Sequence, residues 1–365
     1  MYFTCSKSDL LSAIATVARA ASKMQKTILE CILFSGEDGA ITLKATDIAI
    51  SIKTKLNANV EKTGVAAIPA RVLHEIINRF PESDVTFESK GENAVEISCL
   101  NSKVLLQQMD ADEFPAFPEI EKEVQVKIPQ NVMRKMIGST IFSVAVTEDK
   151  PILTGLLFDI RDGSLNLVGL DGYRMAVCRE GVISEKDASC VIPARTLREV
   201  SRIISDSEEN LKIAISGNMA LFEVDDTQIY TRLLDGDFVN YENLLPKDYT
   251  TNVKVETEML KDSLERASIM AREGGNNVIK FVVEGDTLEV TSNSEMGNID
   301  ENIHVVTEGQ DIKIAFNAKY LLDVLKSIDD SEVSMRFNTA ISPCVIKKEG
   351  SSAYEYLVLP VQMRD

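Results

Sequence analysis

The sequence of 365 residues contains no tryptophan, only two histidines and only six cysteines. The histidines, His74 and His304, lie far apart, and no two cysteines form a C-x-x-C pair. Zinc sites need clustered Cys and His ligands, so we expect no metal site and no cofactor. Scattered single thiols are typical of small buried side chains in a reducing compartment.

Long apolar runs are also missing. No stretch approaches the roughly 18 to 20 apolar residues that span a bilayer, and residues 1–7 lack the charged-then-apolar layout of a secretory signal. We therefore predict a cytoplasmic location. The chain is long enough, and at 44% hydrophobic residues apolar enough, to form several domains with their own cores.

Motifs of catalysis and nucleotide binding are absent as well. There is no G-x-x-x-x-G-K-[ST], G-x-G-x-x-G, G-x-S-x-G or H-E-x-x-H. The acidic pairs at 225–226 and 329–330 lie in polar, turn-like stretches, where carboxylates commonly stabilise turns. We therefore predict no catalytic residues and no enzyme activity.

An internal repeat organises the whole chain. The hexapeptide IPARVL at 68–73 recurs as IPARTL at 192–197, and the same offset of 124 residues carries Asp47 to Asp171 and Phe114 to Phe238. A second shift aligns the AKYL at 318–321, and Glu295 with Asp171. Repeats of this length match ordinary domains. We predict three domains, at 1–124, 125–248 and 249–365.

Each repeat alternates short strands with two amphipathic helices. Opening strands are predicted at 2–5, 124–128 and 252–255, and helices within 6–26, 69–80, 130–146, 193–205, 257–273 and 317–328. Ser8, Asn131 and Thr257 or Glu258 are the predicted N-caps. Short turns between strands favour antiparallel sheets. The predicted fold class is α+β, with each domain built from two similar strand-helix-strands halves.

Charge is sorted along the chain. The net charge of −18 argues against nucleic-acid binding, yet the predicted helices together are positive and the rest is strongly acidic. Arg195, Arg198 and Arg202 share one face of the fourth helix, opposite its apolar residues. If these helices line one surface, a few positive side chains on that surface can contact the phosphate backbone of DNA without recognising its base sequence. We therefore expect a protein that cradles or encircles duplex DNA.

These residues jointly resemble a known family. The chain resembles the bacterial DNA polymerase III β subunit (sliding clamp) family along essentially its full length, through FT at 3–4, IPAR at 68–71, DGYRMAV at 171–177 and LPV at 359–361. The resemblance implies a head-to-tail homodimeric ring, with antiparallel sheets outside and helices lining the central hole. It also implies a processivity factor that holds the replicative polymerase, is opened by a clamp loader and binds other clamp-motif proteins.

The resemblance further implies three sets of site residues. The peptide-binding groove comprises Leu153, Leu170, Gly172, Tyr173, Arg174, Met175, Val239, Leu244, Asn317, Tyr320, Ile341, Leu357, Leu359, Pro360 and Val361. The dimer interface comprises Val104, Leu106, Ile269 and Met270. The DNA-binding residues carried over are Lys23, Arg71 and Lys150, and helix geometry adds Arg134, Arg195, Arg198 and Arg202. Apolar groove walls suit the Leu or Phe anchors of an extended peptide, with Arg174 fixing its orientation.

Other interpretations stay open at this point. The 171–174 segment could equally be a simple hairpin turn. The four predicted interface residues could be ordinary core residues. The predicted DNA-binding residues could be solvated side chains on the outer faces of helices. Val239, Asn243, Pro343 and residues 362–365 differ from the family pattern, which affects the partner motif. An acidic scaffold that binds only proteins is the main rival function.

Overall fold

The computed structural model describes residues 1–21, 27–37, 39–91, 93–147 and 149–362. Its helices are α1 (Lys7–Val17), α2 (Ala70–Arg79), α3 (Gln130–Thr140), α4 (Ala194–Ile203), α5 (Thr257–Glu273) and α6 (Ala318–Leu325). Its strands are β1 (Tyr2–Ser6), β2 (Cys31–Glu37), β3 (Ala40–Thr46), β4 (Ile50–Asn57), β5 (Asn59–Lys62), β6 (Gly64–Pro69), β7 (Asp84–Lys90), β8 (Ala94–Cys99), β9 (Ser102–Gln107), β10 (Val124–Pro129), β11 (Gly155–Arg161), β12 (Ser164–Leu170), β13 (Arg174–Gly181), β14 (Ile183–Ser184), β15 (Ala188–Pro193), β16 (Asn210–Ser216), β17 (Met219–Val224), β18 (Thr227–Arg232), β19 (Thr251–Glu256), β20 (Val278–Glu284), β21 (Thr287–Ser294), β22 (Gly297–His304), β23 (Val306–Gly309), β24 (Ile312–Asn317), β25 (Glu332–Phe337), β26 (Cys344–Lys347) and β27 (Tyr354–Val358).

All six predicted helices are confirmed, but the N-caps predicted for α1, α3 and α5 are wrong. The Ser6 side chain caps α1, because β1 continues to that residue, and Ser8 lies inside the helix. Gln130 starts α3, which places Asn131 within it. The cap of α5 is Glu256, whose side chain makes no capping bond. Within the described ranges, no helix is long and apolar enough to cross a membrane.

By its internal contacts the chain divides into two bodies. The first body comprises Met1–Gln130 and Glu199–Leu233, and the second comprises Asn131–Arg198 and Leu234–Asp365. The first contains the sheets β5-β1-β7-β8-β9 and β10-β16-β17-β18-β4-β3-β2-β6, and the second contains β15-β11-β12-β13-β27-β26-β25-β19-β23 and β22-β21-β20-β24. The strand pairs that build these sheets are antiparallel, which confirms the predicted α+β class.

Aromatic and aliphatic side chains fill the core of each body. In the first, Phe3 and Phe34 stack on Phe87 at centroid distances of 4.8 and 5.4 Å. In the second, the apolar faces of α5 and α6, including Leu264 and Leu321, pack against the strands of both its sheets. The helices therefore bury one face and leave the other to solvent, as the 3.6-residue periodicity predicts.

Strand register confirms the 124-residue repeat. Ser35 of β2 lies opposite Thr42, and Asp159 of β11, which is 124 residues later, lies opposite Asn166. On the other side of each strand, Ser35 lies opposite Val65 and Asp159 lies opposite Ser189, which are again 124 residues apart. Since a slip of one residue would reverse every side chain, this agreement means that the two repeats present equivalent positions to equivalent faces.

The turn after the second strand of each hairpin repeats less strictly. Asp47 Oδ1 accepts the N–H groups two and three residues later at 3.0 and 2.9 Å, and Asp171 Oδ1 does the same at 2.9 and 2.9 Å. In the third repeat, Glu295 aligns with this position. The residue that accepts a backbone N–H there is Ser294, one position earlier, whose Oγ accepts the N–H of Met296 at 3.2 Å.

Candidate functional site

The predicted groove begins at the turn between β12 and β13. Asp171 fixes this turn through its side chain, and Gly172 adopts a positive φ of 92° that favours glycine. Tyr173 is left 62% exposed at the tip. The two sequence interpretations of this segment, hairpin turn and groove wall, are therefore compatible, since the turn is what brings the tyrosine to the surface.

Arg174 is held inside the second body. Its guanidinium donates to Asp171 Oδ2 at 3.0 Å, to Asp323 Oδ2 at 2.6 Å and to the Phe142 carbonyl at 2.6 Å. It also lies 4.6 Å from the ring centroid of Tyr320. We predicted that Arg174 would orient a bound peptide. Its side chain is only 8% exposed, and its bonds join the β12–β13 turn to α6, so the orienting role stays a prediction.

Four of the predicted groove residues form an apolar floor. Leu153, Leu170, Met175 and Leu357 belong to one buried cluster on the sheet. Each is at most 7% exposed, so these side chains support the surface more than they contact a ligand. Their burial requires the adjacent loops, since the outer face of this sheet would otherwise expose a row of aliphatic side chains.

The remaining predicted groove positions are less buried than these four. Tyr173 stacks on Tyr320 at 6.1 Å, and Leu359 donates its N–H to the Tyr173 carbonyl at 2.9 Å. Val361 is tied to β24 through the Ala315 carbonyl. Pro360 lies between these two bonded residues, and Asn317 caps α6. Exposed apolar side chains are contributed by Val239, Leu244, Ile341 and Leu359.

The predicted interface residues lie on the edge strand β9 and on the helix α5. β9 is an edge strand on which Val104 and Leu106, paired with Ile97 and Val95 of β8, are half-buried, whereas Leu105 is 58% exposed. On α5, Ile269 is 47% exposed and Met270 is half-buried. The helix packs against β22, the edge of the four-stranded sheet. Neither pair is fully core, so the sequence-based alternative of ordinary core burial does not describe them.

The predicted DNA-binding side chains point to solvent where they are described. Arg134, Arg198 and Lys150 are exposed, as is Arg195 on the same face of α4. Lys23 lies outside the described residues. Two further arginines are exposed but paired along their own helices: Arg71 to Glu75 at 3.3 Å and Arg202 to Glu199 at 2.7 Å. Because exposed pairs of this kind are weak, these guanidiniums can exchange a carboxylate for a phosphate.

Sequence reasoning missed several residues that build the groove. Asp323 and Phe142 hold Arg174, and Tyr241 closes the apolar floor. Burial and then the charge of Asp171 raise the pKa of Tyr320, so its ring stays neutral beside Arg174. Asp171 was visible as a repeated residue. The other contacts had no local signal, since each joins segments that are far apart in the sequence.

Three family models cover nearly the whole chain. They describe the N-terminal, central and C-terminal domains of the DNA polymerase III beta subunit and match residues 1–118, 127–240 and 242–362. A curated protein named beta sliding clamp from Bacillus subtilis (strain 168) is 31% identical over 99% of this chain and 100% of its own. One of the same name from Staphylococcus aureus is 30% identical, over 99% and 97%.

Solved structures agree with these matches. The crystal structure of a DNA polymerase sliding clamp from Bacillus subtilis is 30% identical, covers 100% of both chains and superimposes with a TM-score of 0.97. The DNA polymerase III beta subunit from Thermotoga maritima is 28% identical with a TM-score of 0.94 and the same coverage. This chain therefore belongs to the DNA polymerase III beta subunit family, the beta sliding clamps, and has their three-domain clamp fold.

Proposed function

We propose that this chain is a DNA sliding clamp, in which two copies join head to tail into a ring around duplex DNA and keep a replicative DNA polymerase on its template. The single observation that carries the proposal is the match to sliding clamps over the entire chain, in sequence and in fold. The clamp holds DNA by topology and performs no chemistry itself. Its three domains are those set out above, at 1–124, 125–248 and 249–365.

Two exposed sheet edges support the head-to-tail joint. Among the described residues, β9 and β22 each pair with one strand and lie at the end of their sheet, and unpaired edges invite pairing with another chain. An edge-to-edge contact would bring Val104 and Leu106 of one copy against Ile269 and Met270 of the other. The apolar side chains beside both edges, including Leu105 at 58% exposure, would then be covered.

The exposed arginines support sequence-independent contact with DNA. Arg134, Arg195, Arg198 and Arg202 lie on α3 and α4, and Arg71 lies on α2. Arginine and lysine contacts to phosphates supply non-specific affinity that falls with salt. The strongly acidic remainder of the chain disfavours DNA elsewhere. A polymerase-bound clamp acts on chromosomal DNA, so a cytoplasmic location is part of the same proposal.

The surface around Tyr173, Tyr320 and Leu359 supports a docking groove for partner peptides. Its exposed apolar side chains surround a rigid floor, which suits the few buried anchors that dominate such interfaces. The polymerase, the clamp loader and other clamp-motif proteins would compete for it. Val239, Asn243 and Pro343 set the local chemistry of the rim and therefore the preferred motif.

A retention assay tests the encircling function. Protein loaded by a clamp loader onto nicked circular DNA should remain bound at moderate salt and be lost after the circle is linearised, because a ring can slide off an end. Equal loss from circular and linear DNA would refute the ring and favour the protein-binding scaffold. The molar mass in solution provides the companion measurement, since a strict monomer cannot enclose a duplex.

A further inference from the structure

A buried carboxylate lies beneath the loop that borders the proposed groove. Asp159, in β11, is only 1% exposed. The Tyr241 hydroxyl donates to its Oδ2 at 2.8 Å, and Arg161 Nε lies 2.8 Å from its Oδ1. Burial and the bond to Asp159 raise the pKa of Tyr241, so the hydroxyl stays protonated and donates. A buried charge is costly unless it is paired in this way.

This hydrogen bond joins the loop to the sheet. Tyr241 opens a 3-10 turn, Tyr241–Leu244, and its ring packs into the apolar floor of the groove. The same loop presents Val239 and Leu244, which are 44% and 39% exposed. Residues 236–242 of this loop line an open cavity of about 520 Å³, together with Arg161. Since the loop borders open space there, the contact with Asp159 is well placed to restrain it.

The first repeat lacks both members of the pair. The equivalent positions, 124 residues earlier, are Ser35 and Phe117, and Ser35 has the same register in its sheet as Asp159. Phe117 packs edge-on against Tyr230 at 5.5 Å, under Lys53. It therefore lies over different strands from those that Tyr241 covers. Of these two repeats, the second has both the carboxylate and the hydroxyl, and it is also the one that supplies Val239 and Leu244 to the proposed groove.

We propose that Tyr241 and Asp159 are positioning residues for the peptide groove: their hydrogen bond holds the 239–244 loop so that Val239 and Leu244 face an incoming anchor side chain. The inference rests on the proposed function of the groove. Without the bond, the loop samples other conformations, and the apparent affinity falls by the fraction of molecules that keep the binding-competent one. The two residues need not touch the peptide.

The test measures peptide affinity and stability separately. Tyr241→Phe removes only the hydroxyl, Asp159→Ser introduces the residue of the first repeat, and the double variant reproduces the first repeat's pair. Tyr354→Phe is the matched control, because its hydroxyl donates to Asp330 at the same 2.8 Å in the same body. The probe is a fluorescent synthetic peptide with leucine and phenylalanine anchors, followed by anisotropy. Thermal unfolding and hydrogen exchange of the loop are recorded in parallel.

We expect each single variant to weaken peptide binding about tenfold, as loss of one charge-assisted hydrogen bond would. The double variant should also weaken binding about tenfold, because both changes break one interaction. Hydrogen exchange of the 239–244 loop should accelerate in all three. Tyr354→Phe should lower thermal stability similarly and leave peptide affinity within about twofold.

Three results would overturn the inference. Unchanged affinity in Tyr241→Phe would remove the positioning role, and an equal loss in Tyr354→Phe would assign the effect to general destabilisation. A hundredfold loss in the double variant would show that the two residues act independently. If the unaltered protein does not bind the peptide, the groove itself fails; retention on circular DNA is then unaffected, so the two failures are distinguishable. Should Asp159→Ser not fold, Asp159→Asn keeps an acceptor oxygen and should retain most of the affinity.

Discussion

Arg174 offers the sharpest test of how the groove is built. Substitution by methionine keeps the aliphatic stem and removes the guanidinium, which binds Asp171, Asp323 and the Phe142 carbonyl. The variant therefore leaves two carboxylates and one carbonyl without their shared donor. Since α6 carries Asp323 and the β12–β13 turn carries Asp171, the change also separates the two walls on which Tyr320 and Tyr173 stack.

The size of the effect follows from burial. Removing one partner of a buried ion pair costs about 3–5 kcal/mol. Asp323 is 27% exposed and Asp171 13%, so water compensates part of the loss, and we expect a decrease of about 3 kcal/mol in the free energy of unfolding. Arg174→Lys keeps the charge but not the planar donor geometry and should cost about 1–2 kcal/mol.

Urea unfolding followed by tyrosine fluorescence is a suitable assay, because the chain has no tryptophan and most of its tyrosines lie in the second body. Arg198→Met, at an exposed position of α4, is the control and should change stability by less than about 0.5 kcal/mol. In an Asp323→Asn background, Arg174→Met should cost at least about 1 kcal/mol less, since only the charge of Asp171 is then left without its partner.

A free energy of unfolding for Arg174→Met within about 1 kcal/mol of that of the unaltered protein would contradict this role of Arg174. An equal cost with and without the Asp323 carboxylate would contradict it as well. Either result would mean that the observed bonds do not carry the stability assigned to them. Unchanged peptide affinity in the variant would separate this structural role from the groove.

Three further outcomes are expected. Burial acts to raise the pKa of Glu355, but the bond from Lys347 and the charge of Arg179 lower it overall. A lowered pKa stabilises the fold at pH values above the pKa of the unfolded chain, near 4.3, and this stability is lost as the pH falls through the pKa of the folded state. Glu355→Gln should therefore be less stable than the unaltered protein at pH 7 and equally stable in acid. The same difference in unfolding free energy at every pH, measured by urea titration, would contradict this. Leu359→Ser should weaken binding of the anchor peptide at least about tenfold with an unchanged molar mass by sedimentation, and normal affinity would remove this residue from the groove. Burial raises the pKa of Cys5 to about 12, so iodoacetamide should label it at pH 8 only after unfolding, and rapid labelling of the native protein in a mass spectrum would count against the buried thiol.

Most of the secondary structure could be predicted from the sequence, because it depends on local patterns of residues. The helix at 193–205 was predicted from apolar residues at i, i+3 and i+7, and the structure has it at Ala194–Ile203. The exact start of a helix was harder to predict. Ser6 rather than Ser8 caps α1, because the helix can begin only where the preceding strand ends, and a serine alone does not reveal that point.

The surroundings of individual predicted groove residues were harder to predict from the sequence. The turn at 171–174 was recognised from its sequence, and the exposure of Tyr173 agrees with it. The burial of Arg174 was not foreseen, since an arginine next to a turn is ordinarily solvated. What buries it is the approach of Asp323 and the Phe142 carbonyl, and neither approach is encoded in the residues around position 174.

The repeat, the helix faces and the sorting of charge depend on residues a few positions apart or on a fixed offset, so the amino-acid sequence reveals them directly. Which distant groups meet is seen only in the folded chain. Arg174 and Asp323 are 149 residues apart, and Tyr241 and Asp159 are 82 apart. Such pairs form where sheet packing brings two segments together, so their energies depend on burial and distance, which local patterns do not specify.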